Sequence, residues 1–286
     1  MQPDRYIEND QDFRSWVQGI PAEQYAVAVD LEAEFNLHIY GEHFCLLQVY
    51  DGTNAVAIDP QAVSIGLIKE FLENRNLLKI TYDSASDRLL LYKNHGILMN
   101  TILDLRPAVE LLELQKQGLG SVLEEVLEIP PAREKQRFQQ YDWTRRPINP
   151  DALAYAIDDV VHLYRLRDEL LNRVRAAGIM DRYLVENFRV QATEPETDRK
   201  PGMLRGGRFK RLKPRQKELL ESLHAAREEV AAEVNLPPNS VYPNKALFAL
   251  VTEGLAPGEV RPPKNVPRDA FEGLVEEFER LIQERG

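Results

Sequence analysis

Asp30 and Glu32 stand two apart in a stretch, 25–32, whose residues alternate in character. Ala26, Ala28, Asp30 and Glu32 share one face, and Tyr25, Val27, Val29 and Leu31 the other, which is the pattern of a strand. An apolar face that ends in two carboxylates is unfavourable unless a cation compensates it or water reaches it. Hard oxygen donors of this kind suit Mg²⁺ or Mn²⁺. A solvated strand end satisfies the same pair, and a chain with 46 acids produces such pairs by chance. Asp87 follows the apolar run 77–81 and falls in the first turn of a predicted helix, with Asp83 or Ser84 as cap. Helix-terminal charge is its plainer reading. Tyr155 and Asp159 are four apart in a helical run, so they lie one turn apart on one face, with Asp158 rotated about 100° away. Taken singly, they also fit a half-buried tyrosine beside a surface aspartate.

The elements that must carry these residues follow from periodicity. Residues 44–50 and 54–58 are apolar, β-branched runs separated by Asp51-Gly52-Thr53, a hairpin signal. Helical spacing marks 62–72, 84–91, 108–114, 122–127 and one long stretch, 151–174. Residues 77–81 and 102–105 are short predicted strands. Strands come first, with helices interleaved and then dominant, so the fold class is α/β with a mixed sheet. Residues 191–214 have no periodicity and hold several Pro and Gly, the composition of a linker. Beyond them, Leu219, Leu223, Ala226 and Val230 form one helical face; Phe271, Leu274, Val275, Phe278, Leu281 and Ile282 form another. A small helical domain is expected there.

Composition narrows the classes. The chain has 286 residues, 43% hydrophobic and 29% charged, which excludes wholesale disorder. No apolar run approaches the roughly 18 residues that a membrane span needs. The first 13 residues are acidic and polar, unlike a secretory leader. Cys45 is the single cysteine, which excludes an intrachain disulfide and a thiolate zinc cluster and points to the reducing cytoplasm. The net charge of −10 disfavours broad nucleic-acid binding. Local charge says otherwise: from Arg199 to Lys217 there are nine Lys or Arg and no acid. No phosphate-binding Gly-Lys-Ser/Thr loop and no Gly-x-Ser-x-Gly elbow occurs.

In conjunction, the carboxylates resemble the DEDD superfamily of 3′-5′ exonucleases, in its tyrosine type. The family's first motif is Asp-x-Glu on a strand, its second an Asp opening a helix, and its third an aromatic residue or His ahead of an Asp on a helix. A histidine type would place its His where Ala154 stands. Ribonuclease D is the closer resemblance. Cys45-Leu46-Leu47-Gln48 is similar to that family's second strand, Asp142-Trp143-Thr144-Arg145-Arg146-Pro147-Ile148 to its Asp-Trp-x-x-Arg-Pro-Leu signature, and Tyr155-Ala156-Ile157-Asp158-Asp159-Val160 to its Tyr-Ala-x-x-Asp-Val. The resemblance covers about residues 22–175. Leu212-Lys213-Pro214-Arg215-Gln216, residues 223–232 and Leu236-Pro237-Pro238 resemble one HRDC domain. The chain departs from the family at Tyr82, where a His often precedes the second-motif Asp by five residues.

The resemblance implies a ribonuclease H-like mixed sheet flanked by helices over residues 1–195, a basic linker over 196–212 and an all-α HRDC-like domain over 213–286. It implies a two-metal, Mg²⁺ or Mn²⁺, 3′-5′ exoribonuclease, with Asp30, Glu32, Asp87 and Asp159 as metal ligands and Tyr155 orienting the attacking water. All five residues are present, which argues against a degenerate, non-catalytic scaffold. The implied partner is a single-stranded RNA 3′ end, with DNA as the alternative, and neither a membrane nor a small-molecule cofactor is implied. Candidate nucleic-acid contacts are Arg145, Arg146, Arg205, Arg208, Lys210, Arg211 and Lys213, which also fit ion pairs or a solvated tether. Trp143 is expected as a core anchor. For Gln48, a place near the carboxylates and a buried amide bonded to backbone are equally open.

Overall fold

The computed structural model describes residues 1–21, 23–130, 135–138, 140–197 and 200–285, with residues 135 and 136 as backbone only. The chain divides into two compact units: residues 1–33 with 43–197, and residues 34–42 with 198–286.

Six strands form one mixed sheet in the first unit: β1 (Arg5–Ile7), β2 (Ala26–Phe35), β3 (Glu42–Tyr50), β4 (Ala55–Ile58), β5 (Leu78–Thr81) and β6 (Ile102–Asp104), in spatial order β1-β4-β3-β2-β5-β6. The Asp51-Gly52 turn makes β3 and β4 antiparallel, pairing Gln48 with Ala57 and Tyr50 with Ala55. Strand β5 runs parallel to β2 with Ala28 opposite Ile80, and β6 runs parallel to β5.

The alternation read from the sequence of β2 sorts its residues between two cores. Val27, Val29 and Leu31 pack with α1 (Asp10–Gln18), α2 (Ile65–Glu73) and α3 (Ala85–His95), around an aromatic trio of Phe13, Trp16 and Phe71. Ala26 and Ala28 face the other way, toward α4 (Arg106–Leu111), α5 (Leu119–Leu127), α8 (Leu163–Ala176) and α9 (Met180–Ala192). On that second face, Ala55 and Ala57 of the sheet meet Ala152, Ala156 and Ile157 of α7 (Pro150–Val161), beside Phe138 at the end of the one-turn α6 (Lys135–Phe138). Alanines on both surfaces let α7 lie close to the strands. Cys45 and Leu46 both join this second core whereas Leu47 and Val49 join the first, so the alternation of β3 breaks once, at 45–46.

The second unit is helical: α10 (Gly207–Lys210), α11 (Pro214–Glu233), α12 (Pro238–Val241), α13 (Asn244–Thr252) and α14 (Arg268–Arg285). Both predicted helical faces enter its core, where Tyr242 lies between Phe271 and Phe278. Tyr40, from residues 34–42, packs against the same core. Among the described residues no helix is long and apolar enough to cross a membrane.

Two expectations need correction. The long helix 151–174 is two, interrupted at His162, because the halves serve different cores: Ala152, Ala156 and Ile157 in one, Leu163, Leu166, Leu170 and Val174 in the other. The basic segment 196–212 is not a linker throughout. Leu204, Phe209 and Leu212 are buried in the second unit's core, so 202–212 is folded, and three apolar residues at irregular spacing are enough to anchor it. The structure also has elements for which the sequence reading made no assignment: β1 and α1 in the polar N-terminal stretch, and α9.

The alanine contact generates a stability prediction. Ala156→Leu is expected to cost roughly 1–3 kcal/mol by overpacking α7 against the sheet. Urea unfolding measures it, and a neutral result would show that α7 has room to spare.

Candidate active site

Asp30 and Glu32 occupy the middle of β2, on the face that Ala26 and Ala28 turn toward the α7–α8 side. Asp87 sits in the first turn of α3, directly after β5, the parallel neighbour of β2. Tyr155 and Asp159 stand one turn apart on α7. All five are half-buried, while their neighbours Val29, Leu31, Ala156 and Val160 are buried. They do not point to separate places: the charges of Asp87 and Asp159 act on Asp30, those of Asp30, Asp159 and Asp87 on Glu32, and those of Asp159, Glu32 and Asp30 on Tyr155. Burial pushes Asp30 well above the ordinary carboxylate range, and the charges of Asp87 and Asp159 push it further. Burial also raises Glu32, followed by the charges of Asp30, Asp159 and Asp87. Asp87 is pushed up to about 7, first by burial and then by Asp83 and Asp104.

Among the described residues, the charges that act on Asp30 and Glu32 are carboxylates; no lysine or arginine is among them. Such a site is electrically incomplete at neutral pH. Its donors are hard oxygens, partly open to solvent, and that donor set fits divalent Mg²⁺ or Mn²⁺ and would not suit a soft metal. The Tyr155 hydroxyl donates to Asp159. Burial, then Asp159, Glu32 and Asp30, raise its pKa, so it is a neutral phenol throughout the physiological range.

The positions of these side chains trace to residues with no expected role. Asp104, buried at the end of β6, accepts the N–H groups of Asp83 (2.9 Å), Ser84 (2.8 Å) and Arg106 (2.9 Å) and the Ser84 hydroxyl (2.8 Å). Ser84 makes no side-chain cap of its own, so Asp104 fixes the turn that launches α3 and Asp87. Asp83 within that turn has a φ of 60°, which a short polar side chain tolerates. From α9, Asn187 Oδ1 accepts the Asp104 N–H at 2.7 Å and the Tyr183 hydroxyl donates to the Asp104 carbonyl. Arg88, next to Asp87, donates to the carbonyls of Val190 and Thr193 at the end of α9. The available signal for Asp104 was an aspartate at a strand end just ahead of Arg106-Pro107.

The Asp-Trp-x-x-Arg-Pro segment fixes α7 in a comparable way. Arg146 forms a two-pronged pair with Asp59 and also donates to the carbonyls of Cys45 (2.6 Å), Trp143 (2.8 Å) and Arg145 (2.9 Å). The Tyr6 hydroxyl adds a bond to Asp59 at 2.8 Å. Burial works against the Asp59 charge, but the bonds from Arg146, Gln61 and Tyr6 outweigh it and hold the carboxyl below its ordinary value. Arg146 was a candidate phosphate contact; its guanidinium is instead spent on these protein acceptors. Trp143 is a core anchor, as expected. Asn149 then caps α7 by accepting the Asp151 N–H, and the Phe138 ring lies 5.6 Å from that of Tyr155.

The remaining expected residues fall as follows. Arg145 is paired with Asp142 at 2.9 Å and is largely exposed. Arg205, Arg208, Lys210, Arg211 and Lys213 are exposed on the second unit, with the Arg208 guanidinium 4.3 Å from the centre of the Phe248 ring. Tyr82, which stands where the family often has His, donates its hydroxyl to the Gln117 carbonyl, away from the carboxylates. Gln48 is fully buried and neither atom of its amide has a partner, so the backbone-bonded reading does not hold.

Comparison with known proteins bears on the family and the fold. A family described as 3′-5′ exonuclease matches residues 5–175, and the HRDC domain matches residues 216–254. Ribonuclease D of Pseudomonas paraeruginosa is 30% identical over 212 residues, 72% of this chain and 54% of that protein. Ribonuclease D of Sphingobium indicum is 28% identical over 77% of this chain and 57% of its own length. The chain thus spans a little over half of these relatives. Among solved structures, the catalytic core of RRP6 from Trypanosoma brucei superposes with a TM-score of 0.78 at 18% identity, covering 98% of this chain and 79% of that one. Escherichia coli RNase D, an exoribonuclease involved in structured RNA processing, gives 0.72 at 20% identity, over 97% and 74%. At these identities the superpositions speak for the fold.

Two measurements test the scaffold and the charge. Asp104→Ala strands three N–H groups and a hydroxyl, and is expected to cost roughly 2–4 kcal/mol in urea unfolding; a smaller loss would mean that water replaces the carboxylate. The raised pKa of Asp87 has a definite sign. Between its ordinary 3.8 and about 7, the folded cation-free chain keeps a proton that the unfolded chain has released, so this group's contribution to stability falls as pH rises through that window. Burial holds His95, His162 and His224 below their ordinary values and pulls the opposite way. The informative quantity is therefore the difference: cation-free Asp87→Asn should gain on wild type from pH 5 to pH 7, by roughly 1–3 kcal/mol after allowance for partial exposure. Parallel melting curves would contradict the charge repulsion.

Proposed function

The chain belongs to the 3′-5′ exonuclease family, and on that premise we propose that it is a metal-dependent exoribonuclease of ribonuclease D type. It removes nucleoside 5′-monophosphates one at a time from the 3′ ends of tRNA or other structured RNA precursors, in the cytoplasm. The observation that carries this reading is the group of four poorly solvated carboxylates whose charges raise one another, with a neutral tyrosine among them.

Asp30, Glu32, Asp87 and Asp159 would hold two Mg²⁺ or Mn²⁺ ions. Once bound, the ions supply activation of water, neutralisation of the phosphate and stabilisation of the departing 3′ oxygen. The protein's own part is positional. Tyr155 cannot take a proton, because its hydroxyl is already protonated and held so by three carboxylates; it orients the attacking water by hydrogen bonding. Attack at phosphorus breaks the bond to the 3′ oxygen of the preceding nucleotide, so the shortened chain keeps a 3′ hydroxyl and the phosphate leaves on the 5′ side of the released nucleoside. Arg205, Arg208, Lys210, Arg211 and Lys213 are exposed cations suited to the RNA backbone, and Arg145 is the exposed arginine of the first unit's signature segment. RNA is preferred over DNA because the relatives' names point to ribonucleases.

The test is digestion of 3′-extended RNA, beside the same sequence as DNA, with Mg²⁺ or Mn²⁺. Wild type should shorten the RNA to 5′-monophosphates. Asp30→Ala should lose roughly 10³-fold or more, and Tyr155→Phe roughly 10²-fold. Equal turnover by wild type and Asp30→Ala would overturn the reading; preferential loss of the DNA would move the substrate class.

A further inference from the structure

Gln48 is sealed from solvent, and both its Nε2 and its Oε1 lack a hydrogen-bond partner. An orphaned amide inside a protein is a cost that an apolar residue of similar shape would remove. Its place in the sheet suggests what it is kept for. Gln48 pairs across β3–β4 with Ala57, which packs on the α7 side, while its neighbours Leu47 and Val49 pack in the opposite core. It therefore shares a face with Ala28, Asp30 and Glu32 of β2, and β2 is the strand next to β3. Neighbouring strands are about 4.8 Å apart, within reach of a side-chain amide. The buried hydroxyl of Thr81, the other fully orphaned side chain among the described residues, is on β5 one residue past Ile80 of the second core, and so turns to the opposite face.

We propose that Gln48 is a positioning residue of the cation-loaded site: its Nε2–H donates to the Asp30 carboxylate and fixes the rotamer in which Asp30 holds the ions, while Oε1 accepts from an ordered water. This rests on the assignment of Asp30 as a ligand in the proposed function. Outer hydrogen bonds to ligand carboxylates commonly alter metal affinity by about 10- to 100-fold when removed.

The full chain is the sample, and turnover is not the readout. Gln48→Met is expected to melt at or above wild type without divalent cation, because it removes an orphaned polar group. In calorimetric titration its Mn²⁺ dissociation constant is expected to rise about tenfold. In ¹⁵N-labelled wild type, the Gln48 side-chain amide resonances should move on saturation with Mg²⁺ and stay in place in Asp30→Asn; this arm does not depend on the folding of Gln48→Met. An unchanged Mn²⁺ affinity in Gln48→Met, or amide resonances that Mg²⁺ leaves unmoved in wild type, would overturn the role of Gln48 alone, provided that Asp30→Ala abolishes Mn²⁺ binding. Equal Mn²⁺ affinity in wild type and Asp30→Ala would overturn the site assignment itself, and this inference with it.

Discussion

Mutual repulsion among carboxylates in a poorly solvated recess is the constraint around which this fold is arranged. Asp30 and Glu32 are each raised by burial and by other acids, and among the described residues no lysine or arginine is among the charges acting on them. Water alone would scatter these groups, since each gains solvation by turning outward. They are held because the elements that carry them are fixed elsewhere. The first unit thus holds an unfavourable charge arrangement of the kind that divalent cations relieve.

The fixing is done by groups with no part in the chemistry. Asp104 gathers three donors at the start of α3 and one at the start of α4, and is itself held by Asn187 and Tyr183. Arg146 and Asp59 join the approach to α7 to β1 and β3. Alanines on the sheet and on α7 set the spacing between them. Each device answers a local need, such as an unpaired N–H, a buried charge or a steric gap. Together they set the angles at which Asp87, Tyr155 and Asp159 meet β2. Within the signature segment, the Arg146 guanidinium is engaged by protein acceptors.

The second unit shows the limit of charge as a guide. Nine basic residues without an acid looked like a solvated connector. Leu204, Phe209 and Leu212 are interleaved with them and buried, so part of the basic stretch is presented from a folded surface. Net charge foretold the exposure of Arg205, Arg208, Lys210, Arg211 and Lys213, but could not foretell that their backbone is ordered.

Sequence alone singled out five candidate site residues, because motif order ties the carboxylates together, and it determined the faces of β2, because a period of two assigns each side chain to a side. It determined the β3–β4 hairpin from Asp51-Gly52 and both helical faces of the second unit. It did not reveal β1, α1 or α9, whose few apolar residues gain their stability from partners distant in the chain. Nor did it reveal the division of 151–174, which depends on two separate cores. The role of Asp104, the engagement of Arg146 and the orphaned amide of Gln48 were decided only by the tertiary structure. A hydrogen bond between residues 20 to 100 positions apart leaves no period in the sequence, and an unsatisfied group is defined by what fails to reach it in space.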